Sequence, residues 1–428
     1  MFELAGGINA QSLIGLGLTL LVCWALSENR RRFPWRMALF ALAGQVGLVL
    51  LLFGTPAAQA ALAGVAGAVD GLAASAQAGT LFVFGFLAGG QQPYPTNAPP
   101  FIFAFRVLPV ILLICALSAL LWHWRILKWI THGFGFLFQK TLGLRGPPGL
   151  AAAATIFMGQ IEGPIFIRAY LDKLTRSELF MLLTVGMACV SGSTMVAYAA
   201  ILKNVIPNAA AHVFTASIIS APAGILLARI LVPADPSEAK EDFDPGGERT
   251  YDGTVDALIR GTTDGLAVVL NVGATLIVFV GLIYMADLLL NVLPNWDGKP
   301  ISIERILGVA FSPVAWAIGV PWSEAGAAGS LLGVKLVLTE FSAFTQLGQI
   351  GPGVLSVHSR MIMTYALCGF ANFASVGINV AGYSALVPNR REEVIGMVWK
   401  ALLGGFLATC MTASIIAAMP AALFGPTP

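Results

Sequence analysis

The chain has 428 residues, of which 57% are hydrophobic and only 11% are charged, and its mean hydropathy is +0.81. Soluble proteins carry roughly 25% charged residues, so this composition excludes an ordinary water-exposed surface and predicts an all-α polytopic membrane protein. The net charge of +2 gives no reason to expect a nucleic-acid partner, and the charges are informative only through their positions.

Residues 1–100 are predicted to form a scaffold of two spans and an interfacial helix. The first span, Gln11–Leu26, is followed by an arginine-rich loop, which the positive-inside rule places in the cytoplasm, with the N-terminus outside. Met37–Phe53 returns to the outside. Thr55–Ala78 is rich in alanine and glycine and only weakly amphipathic, so we expect it to lie on the membrane interface rather than to cross.

Residues 101–232 are predicted to form a first structural repeat of span, hairpin, span and span. Its apolar segments are, in order, Phe101–Trp124, Gly149–Ile167, Glu178–Leu202 and Ala210–Val232. Basic residues flank the second segment on both sides, among them Lys140 and Lys173. Both of its ends are therefore expected in the cytoplasm, which predicts a re-entrant hairpin instead of a crossing.

The tip of this hairpin is the stretch from Gly159 to Pro164, which reads Gly-Gln-Ile-Glu-Gly-Pro. Gly costs about 1 kcal/mol and Pro about 3 kcal/mol relative to Ala inside a helix, so two half-helices meeting at a bend are expected. Irregular backbone at membrane depth survives only where it is buried in protein or lines a wet cavity. An ionisable residue there, Glu162, indicates a binding site.

Residues 233–261 form a hydrophilic segment that predicts a cytoplasmic linker, and residues 262–428 repeat the first pattern in the opposite orientation. The segments are the span Thr262–Leu293, the proline-broken interfacial stretch Ile306–Trp322, the hairpin Ser323–Gln346, and the spans Met361–Val387 and Val394–Phe424. The C-terminus is then outside. The second hairpin carries Glu340, as the first carries Glu162.

This arrangement is an inverted-topology repeat, which is typical of secondary transporters whose site lies where broken segments of the two halves meet. Polar, small-residue breaks at Ser191–Thr194 and Asn372–Ser375 interrupt two of the spans at equivalent positions. The sequence contains no P-loop pattern, no Ser/His/Asp set and no metal-ligand spacing. We therefore expect neither ATP-driven transport nor an enzyme, and no cofactor.

Several motifs resemble the concentrative nucleoside transporters over essentially the whole chain. They are Phe101–Pro109, Gly159–Pro164, Thr175–Phe180, Gly319–Ala325, Glu340–Phe341 and Cys368–Phe373. The resemblance implies a cation-coupled nucleoside symporter of the inner membrane that works by alternating access. It also implies eight transmembrane helices plus two re-entrant hairpins, and assembly as a homotrimer with periplasmic termini.

The resemblance also assigns site residues. The nucleobase contacts of the family fall on Gln160, Ile161, Glu162 and Thr194, and the ribose contacts fall on Glu340, Asn372 and Ser375, with Phe370 alongside. These residue types suit the chemistry, because an amide both donates and accepts hydrogen bonds and a carboxylate accepts from vicinal hydroxyls. The alternative is a structural role, in which the acids tie the tips to backbone amides and the amides join helices.

Some positions depart from the family pattern. Ile161 replaces the usual Thr or Ser, and Thr194 stands where an apolar residue is common, so the base preference stays open. The sodium site of the family falls on Thr155, Met158, Cys189 and Val190, where a thiol is a poor ligand for a hard cation. The coupling ion is therefore H⁺ or Na⁺, with protons favoured and Glu162 or Glu340 as the carrier.

Two alternatives follow from these departures. The altered sodium positions also suit an uncoupled channel or substrate sensor on the same fold. The altered base positions suit a shifted substrate, such as a free nucleobase or a modified nucleoside.

Overall fold

The computed structural model describes residues 3–424 except 5–7, 92, 94–101, 107, 145, 166, 204, 235–250, 296–297, 299 and 352. Most of the predicted linker, residues 235–250, thus lies outside the described residues. The described chain is helical apart from its connections and two strands, Glu3–Leu4 and Ile8–Asn9, which pair antiparallel. The all-α prediction is confirmed.

Three helices precede the repeats. They are α1 (Ala10–Ala25), α2 (Trp35–Gly54) and α3 (Pro56–Phe84), followed by a short 3-10 helix at Gly85–Ala88. Thr55 caps α3 by accepting a hydrogen bond from the Ala58 amide at 3.3 Å. The stretch Gly71–Ala88 is long and apolar enough to cross a membrane, so the interfacial placement of this region stays a prediction.

The first repeat consists of eight helices. They are α4 (Phe103–Arg106), α5 (Pro109–His123), α6 (Ile126–Leu142), α7 (Pro147–Met158), α8 (Glu162–Ile165), α9 (Arg176–Ala188), α10 (Gly192–Leu202) and α11 (Ala209–Leu231). A 3-10 helix, Arg168–Lys173, joins α8 to α9.

The second repeat consists of seven helices. They are α12 (Thr254–Leu290), α13 (Ile303–Ala317), α14 (Trp322–Val337), α15 (Glu340–Gln349), α16 (Val357–Leu367), α17 (Phe373–Leu386) and α18 (Arg391–Ala418). Two 3-10 helices, Pro388–Arg390 and Ala421–Phe424, flank α18.

The two repeats share one order of elements: a long helix, an amphipathic helix, a helix–turn–helix unit, a broken helix pair and a final long helix. The long helices α5 and α12 pack against each other, and α11 and α18 pack on each other and on α9. Close approach of α5 and α12 needs glycine, because a Cβ at Gly261 would lie 2.8 Å from the Cys115 carbonyl oxygen. Helices α9, α11, α16 and α18 are buried on nearly all sides and form the core.

Two helix breaks are present, but they lie at residues 189–191 and 368–372, just before most of the predicted stretches Ser191–Thr194 and Asn372–Ser375. The chain leaves the helical path between α9 and α10 and again between α16 and α17. By length and composition, five helices among the described residues could cross a membrane, or six if the bent pair α13 and α14 is one span. Four of these five helices coincide with predicted spans, whereas the fifth, Gly71–Ala88, does not, so eight spans stay a prediction.

The structure refines two details of the second repeat. The stretch Ile306–Trp322 is predicted to be broken by proline, and the structure puts the break at Pro321 and not at Pro313, because α13 continues through Pro313 to Ala317. The chain bends by 116° only beyond that point, where Gly319 has φ of 114° and Pro321 precedes α14. Helix α12 begins at Thr254, so the end of the predicted linker is helical.

Candidate functional site

The first tip is the reversal between α7 and α8. Helix α7 ends at Met158 because Gly159, at φ of 107°, adopts backbone angles that strongly favour glycine. Gln160 follows and is buried, whereas the Glu162 side chain is exposed. A Cβ at Gly159 would lie 2.7 Å from Glu162 Oε2 and 3.4 Å from the Ser191 Cβ, so this carboxylate lies beside the start of α10.

The second tip is the reversal between α14 and α15. Thr339 caps α15, since its hydroxyl accepts a hydrogen bond from the Ser342 amide at 3.2 Å. The cap makes Glu340 the first residue of the helix and places its carboxylate near the positive end of the helix dipole. Glu340 is only 6% exposed, so its charge depends on partners within the protein.

Two side chains donate to the Glu340 carboxylate. Tyr198 Oη donates to Oε1 at 2.8 Å, and Asn372 Nδ2 donates to Oε2 at 2.5 Å. The tyrosine ring is stacked on Phe344 with centroids 4.2 Å apart, which fixes the direction of its hydroxyl. The first repeat, through Tyr198, thus helps to hold the acid of the second.

Asn372 and Ser375 connect the second tip to the first. Asn372 caps α17, because its Oδ1 accepts from the Ser375 amide at 2.8 Å, and this leaves its NH₂ group for Glu340. Gln160 Nε2 donates to Ser375 Oγ at 3.4 Å. Four of the predicted site residues therefore form one buried hydrogen-bonded network that spans both repeats.

The other predicted site residues lie around this network. Phe370 donates its backbone N–H to the Cys189 carbonyl at 3.2 Å, so the two helix breaks are joined directly. Thr194 is buried and bonds to the Ser191 carbonyl at 2.9 Å in the first turn of α10. Ile161 packs against α17 at Gly382.

The residues at the predicted sodium site use their polar groups within the protein. Thr155 Oγ1 donates to the Ala151 carbonyl at 2.8 Å, and the Cys189 thiol contacts the Ser217 carbonyl at 3.7 Å. The Val190 carbonyl accepts from Ser217 Oγ at 3.3 Å. Met158 and Val190 would contribute only backbone carbonyls, and the thiol of Cys189 is the member of this set that does not fit a hard cation such as sodium.

Lys335 is a site residue that the sequence reasoning missed. It is fully buried in α14 and donates to the Ala366 carbonyl and to Thr409 Oγ1, each at 2.7 Å. It also interacts electrostatically with Glu340. The sequence did carry a signal, because this lysine is the lone basic residue of α14 and stands in the apolar second half of that helix.

Tyr198 was missed for a different reason. It lies in the apolar helix α10, and nothing in its local sequence distinguishes a tyrosine that binds a carboxylate from one that packs in a core. Only the approach of α15 to α10 gives it that role.

Comparison with known proteins places the chain among nucleoside transporters. Three family models match it: "Na+ dependent nucleoside transporter N-terminus" over residues 14–87, "Nucleoside recognition" over 104–205 and "Na+ dependent nucleoside transporter C-terminus" over 212–417. The chain is 34% identical to a nucleoside permease, NupC, of Helicobacter pylori, covering 94% of this chain and 96% of that protein. It is 30% identical to sodium/nucleoside cotransporter 1 of Rattus norvegicus, covering 94% of this chain and 63% of the longer rat protein.

The fold is similar to solved structures as well. The structure of CNTnw in an inward-facing substrate-bound state superposes with a TM-score of 0.88 at 33% sequence identity, covering 95% of this chain and 97% of that one. A structure of CNTnw in an outward-facing state gives a TM-score of 0.89 at the same identity, covering 95% and 96%.

Proposed function

Because the chain belongs to the concentrative nucleoside transporter family, which comprises membrane transporters and not enzymes, we propose that it imports nucleosides by proton-coupled symport. The observation that carries this proposal is the network that joins Gln160 of the first tip to Glu340 of the second through Ser375 and Asn372. A buried site whose hydrogen-bond donors and acceptors come from both repeats suits a polar solute. Binding of that solute can then shift the packing of one repeat against the other.

We assign the ribose to the second repeat and the base to the first. The Glu340 carboxylate, with Asn372 and Ser375 beside it and Phe370 alongside, supplies acceptors and donors for vicinal hydroxyls. Gln160, Glu162 and Thr194 supply polar groups for the base, and Ile161 supplies an apolar face. A site built in this way rejects analogues that lack the hydroxyls, because its own buried groups would be left unpaired.

Proton coupling is favoured by the residues at the family's sodium positions. The Cys189 thiol, which contacts the Ser217 carbonyl, is a soft donor and a poor ligand for sodium. Glu162 and Glu340 are then the carboxylates able to carry the proton.

The same proposal includes a homotrimer in the inner membrane with both termini in the periplasm. The arginine-rich loop after Leu26 supports this orientation through the positive-inside rule. The trimer rests on resemblance to the family alone.

The decisive experiment is uptake of labelled uridine and adenosine into proteoliposomes with sodium and pH gradients imposed separately. Accumulation driven by the pH gradient alone is expected. Absence of saturable uptake of any nucleoside under either gradient would overturn the proposal, and uptake that equilibrates without accumulating would favour the uncoupled channel. A competition panel of nucleosides, free bases and nucleotides tests for a shifted substrate.

Two sets of variants sharpen this experiment. Glu340→Gln should lose most uptake, because the amide NH₂ would face one of the two donors, Tyr198 or Asn372, that now bind the carboxylate. Wild-type rates in this variant would remove the ribose assignment. The double variant Thr155→Asn, Cys189→Ser should gain sodium dependence, since it supplies hard oxygen ligands.

A further inference from the structure

Helix α17 carries a row of polar side chains that continues beyond the predicted ribose contacts. Ser375, Asn379 and Tyr383 are spaced four residues apart and so lie on one face of the helix. Asn379 and Tyr383 are fully buried. This row passes the first tip, where Asn379 Nδ2 donates to Gln160 Oε1 at 2.9 Å.

The orientation of the Gln160 amide is fixed by a chain of hydrogen bonds that begins at a backbone carbonyl. Asn379 Nδ2 also donates to the Ser375 carbonyl at 2.8 Å, and a carbonyl can only accept. The NH₂ group of Asn379 must therefore be the group between the Ser375 carbonyl and Gln160. Gln160 must then turn its amide oxygen toward Asn379. The NH₂ group of Gln160 therefore points away from Asn379 and toward the site.

Hydrogen-bonding capacity is left over at this place. Gln160 Nε2 has one long bond, 3.4 Å to Ser375 Oγ, which leaves a hydrogen for another acceptor. Among the described residues, Asn379 Oδ1 and Tyr383 Oη are buried without a hydrogen-bond partner. Buried polar atoms in proteins are nearly always paired, so this cluster has hydrogen-bonding capacity that the described residues do not use.

We propose that Asn379 is a specificity-determining residue, which holds Gln160 as a hydrogen-bond donor toward the exocyclic group of the base and so favours an oxo group over an amino group at that position. This inference rests on the proposed nucleoside transport and deepens it. An exocyclic oxo group accepts, whereas an exocyclic amino group donates. Uridine and inosine should therefore be preferred to cytidine and adenosine, since each pair exchanges an oxo group for an amino group at one ring carbon.

The test is the ratio of kcat/KM for uridine over cytidine, and for inosine over adenosine, in proteoliposomes. The wild type should favour the oxo member of each pair by about tenfold, the effect of one hydrogen bond of about 1.4 kcal/mol. Asn379→Leu frees the Gln160 amide to rotate and should bring both ratios close to one. Asn379→Asp can only accept when it is ionised, so at a pH that keeps this carboxylate ionised Gln160 should turn its NH₂ group toward the carboxylate, present its oxygen to the base and invert both ratios.

Two comparisons separate specificity from simple damage. Ser384→Ala, also on α17, removes only a hydroxyl bonded within the helix to the Val380 carbonyl and should leave the ratios unchanged. The preference for uridine over 2′-deoxyuridine should persist in both Asn379 variants, because the ribose is assigned to Glu340. Asn379→Leu decides the matter if the aspartate variant does not fold.

The outcomes are distinguishable. Absence of uptake by the wild type would remove the proposed function itself. Normal uptake with ratios that stay within about twofold of wild type in the Asn379 variants would overturn only the role of Asn379. A wild type without the oxo preference would overturn it as well.

Discussion

At the scale of single residues, the site is built around a buried carboxylate whose surroundings come from both repeats. Glu340 receives hydrogen bonds from Tyr198 and Asn372, and Lys335 supplies a nearby positive charge. A buried charge is costly unless it is paired and hydrogen-bonded, so removing any of these partners should have a measurable effect. Two of the three partners give predictions at this scale.

Tyr198→Phe should weaken nucleoside uptake by about 10- to 100-fold in kcat/KM, because a hydrogen bond to a charged group contributes about 1.5–3 kcal/mol. The phenylalanine keeps the stacking on Phe344, so the change isolates the hydroxyl. Uptake kinetics in proteoliposomes measure the loss. Tyr365→Phe is the matched control, since that hydroxyl contacts His212 at 3.0 Å instead. Equal losses in both variants would contradict a specific role for Tyr198.

Lys335→Met should lower the stability of the protein by about 1–3 kcal/mol, because the Ala366 carbonyl and the Thr409 hydroxyl lose the buried ammonium that donates to them and Glu340 loses a favourable electrostatic interaction. Thermal unfolding in detergent measures the effect. The double variant Lys335→Met, Glu340→Gln should regain part of the lost Tm, since it removes the unpaired anion. Lys400→Met provides the comparison and should cost less than about 1 kcal/mol, because Lys400 is paired with Glu28 near the surface. A double variant no more stable than Lys335→Met would refute the electrostatic explanation.

At the scale of elements, the two helix breaks form the junction of the repeats. The Phe370 amide bonds to the Cys189 carbonyl, and Gly369 lies where the backbones approach most closely. A Cβ at Gly369 would stand 2.8 Å from the Ala188 carbonyl oxygen and 3.1 Å from the Met187 carbonyl oxygen. Only glycine fits there without moving one repeat against the other.

Gly369→Ala should therefore reduce both thermal stability and transport, because the new methyl group would lie 2.5 Å from Thr409 Cγ2 as well as close to two backbone carbonyl oxygens, and the buried β-branched Thr409 has little freedom to move away. Gly377→Ala on α17 is the matched control. It meets no atom within 4 Å and should be neutral or stabilising by up to about 1 kcal/mol through helix propensity. Unfolding temperature and initial uptake rate would be measured for both. Wild-type stability of the Gly369→Ala protein would contradict this prediction, because it would show that the two helix breaks can move apart without loss of stability.

At the scale of the whole molecule, an ionic cluster around Glu28, in the loop after α1, joins parts of the chain that are far apart in sequence. Glu28 accepts from Arg176 at 2.8 Å and from Lys400 at 3.3 Å. Burial alone would raise the pKa of Glu28, but the Arg176 hydrogen bond and the Lys400 charge outweigh it and lower this pKa below its ordinary value of 4.5. The cluster thus connects the end of α1 with α9 and α18.

The sign of this pKa shift gives a prediction for stability against pH. A carboxyl with a lowered folded-state pKa stabilises the fold above its unfolded pKa, and this contribution is lost as the pH falls through the folded pKa. The Tm difference between wild type and Glu28→Gln should therefore be small but constant between about pH 6 and about pH 8, and should vanish in acid. Thermal unfolding across this range measures it. A difference that grows toward low pH would contradict the assignment.

The sequence by itself determined the helical class, the two acidic tips, the two helix breaks and the residues Gln160, Glu340, Asn372 and Ser375. Polar residues and helix breakers are informative within apolar segments, because an unpaired polar group in the membrane interior is costly. Only the tertiary structure decided that Tyr198 and Lys335 serve Glu340 and that Asn379 orients Gln160. Those roles depend on which helices approach each other. The local sequence around a tyrosine, lysine or asparagine on an apolar helix does not show which residue of another helix it will contact.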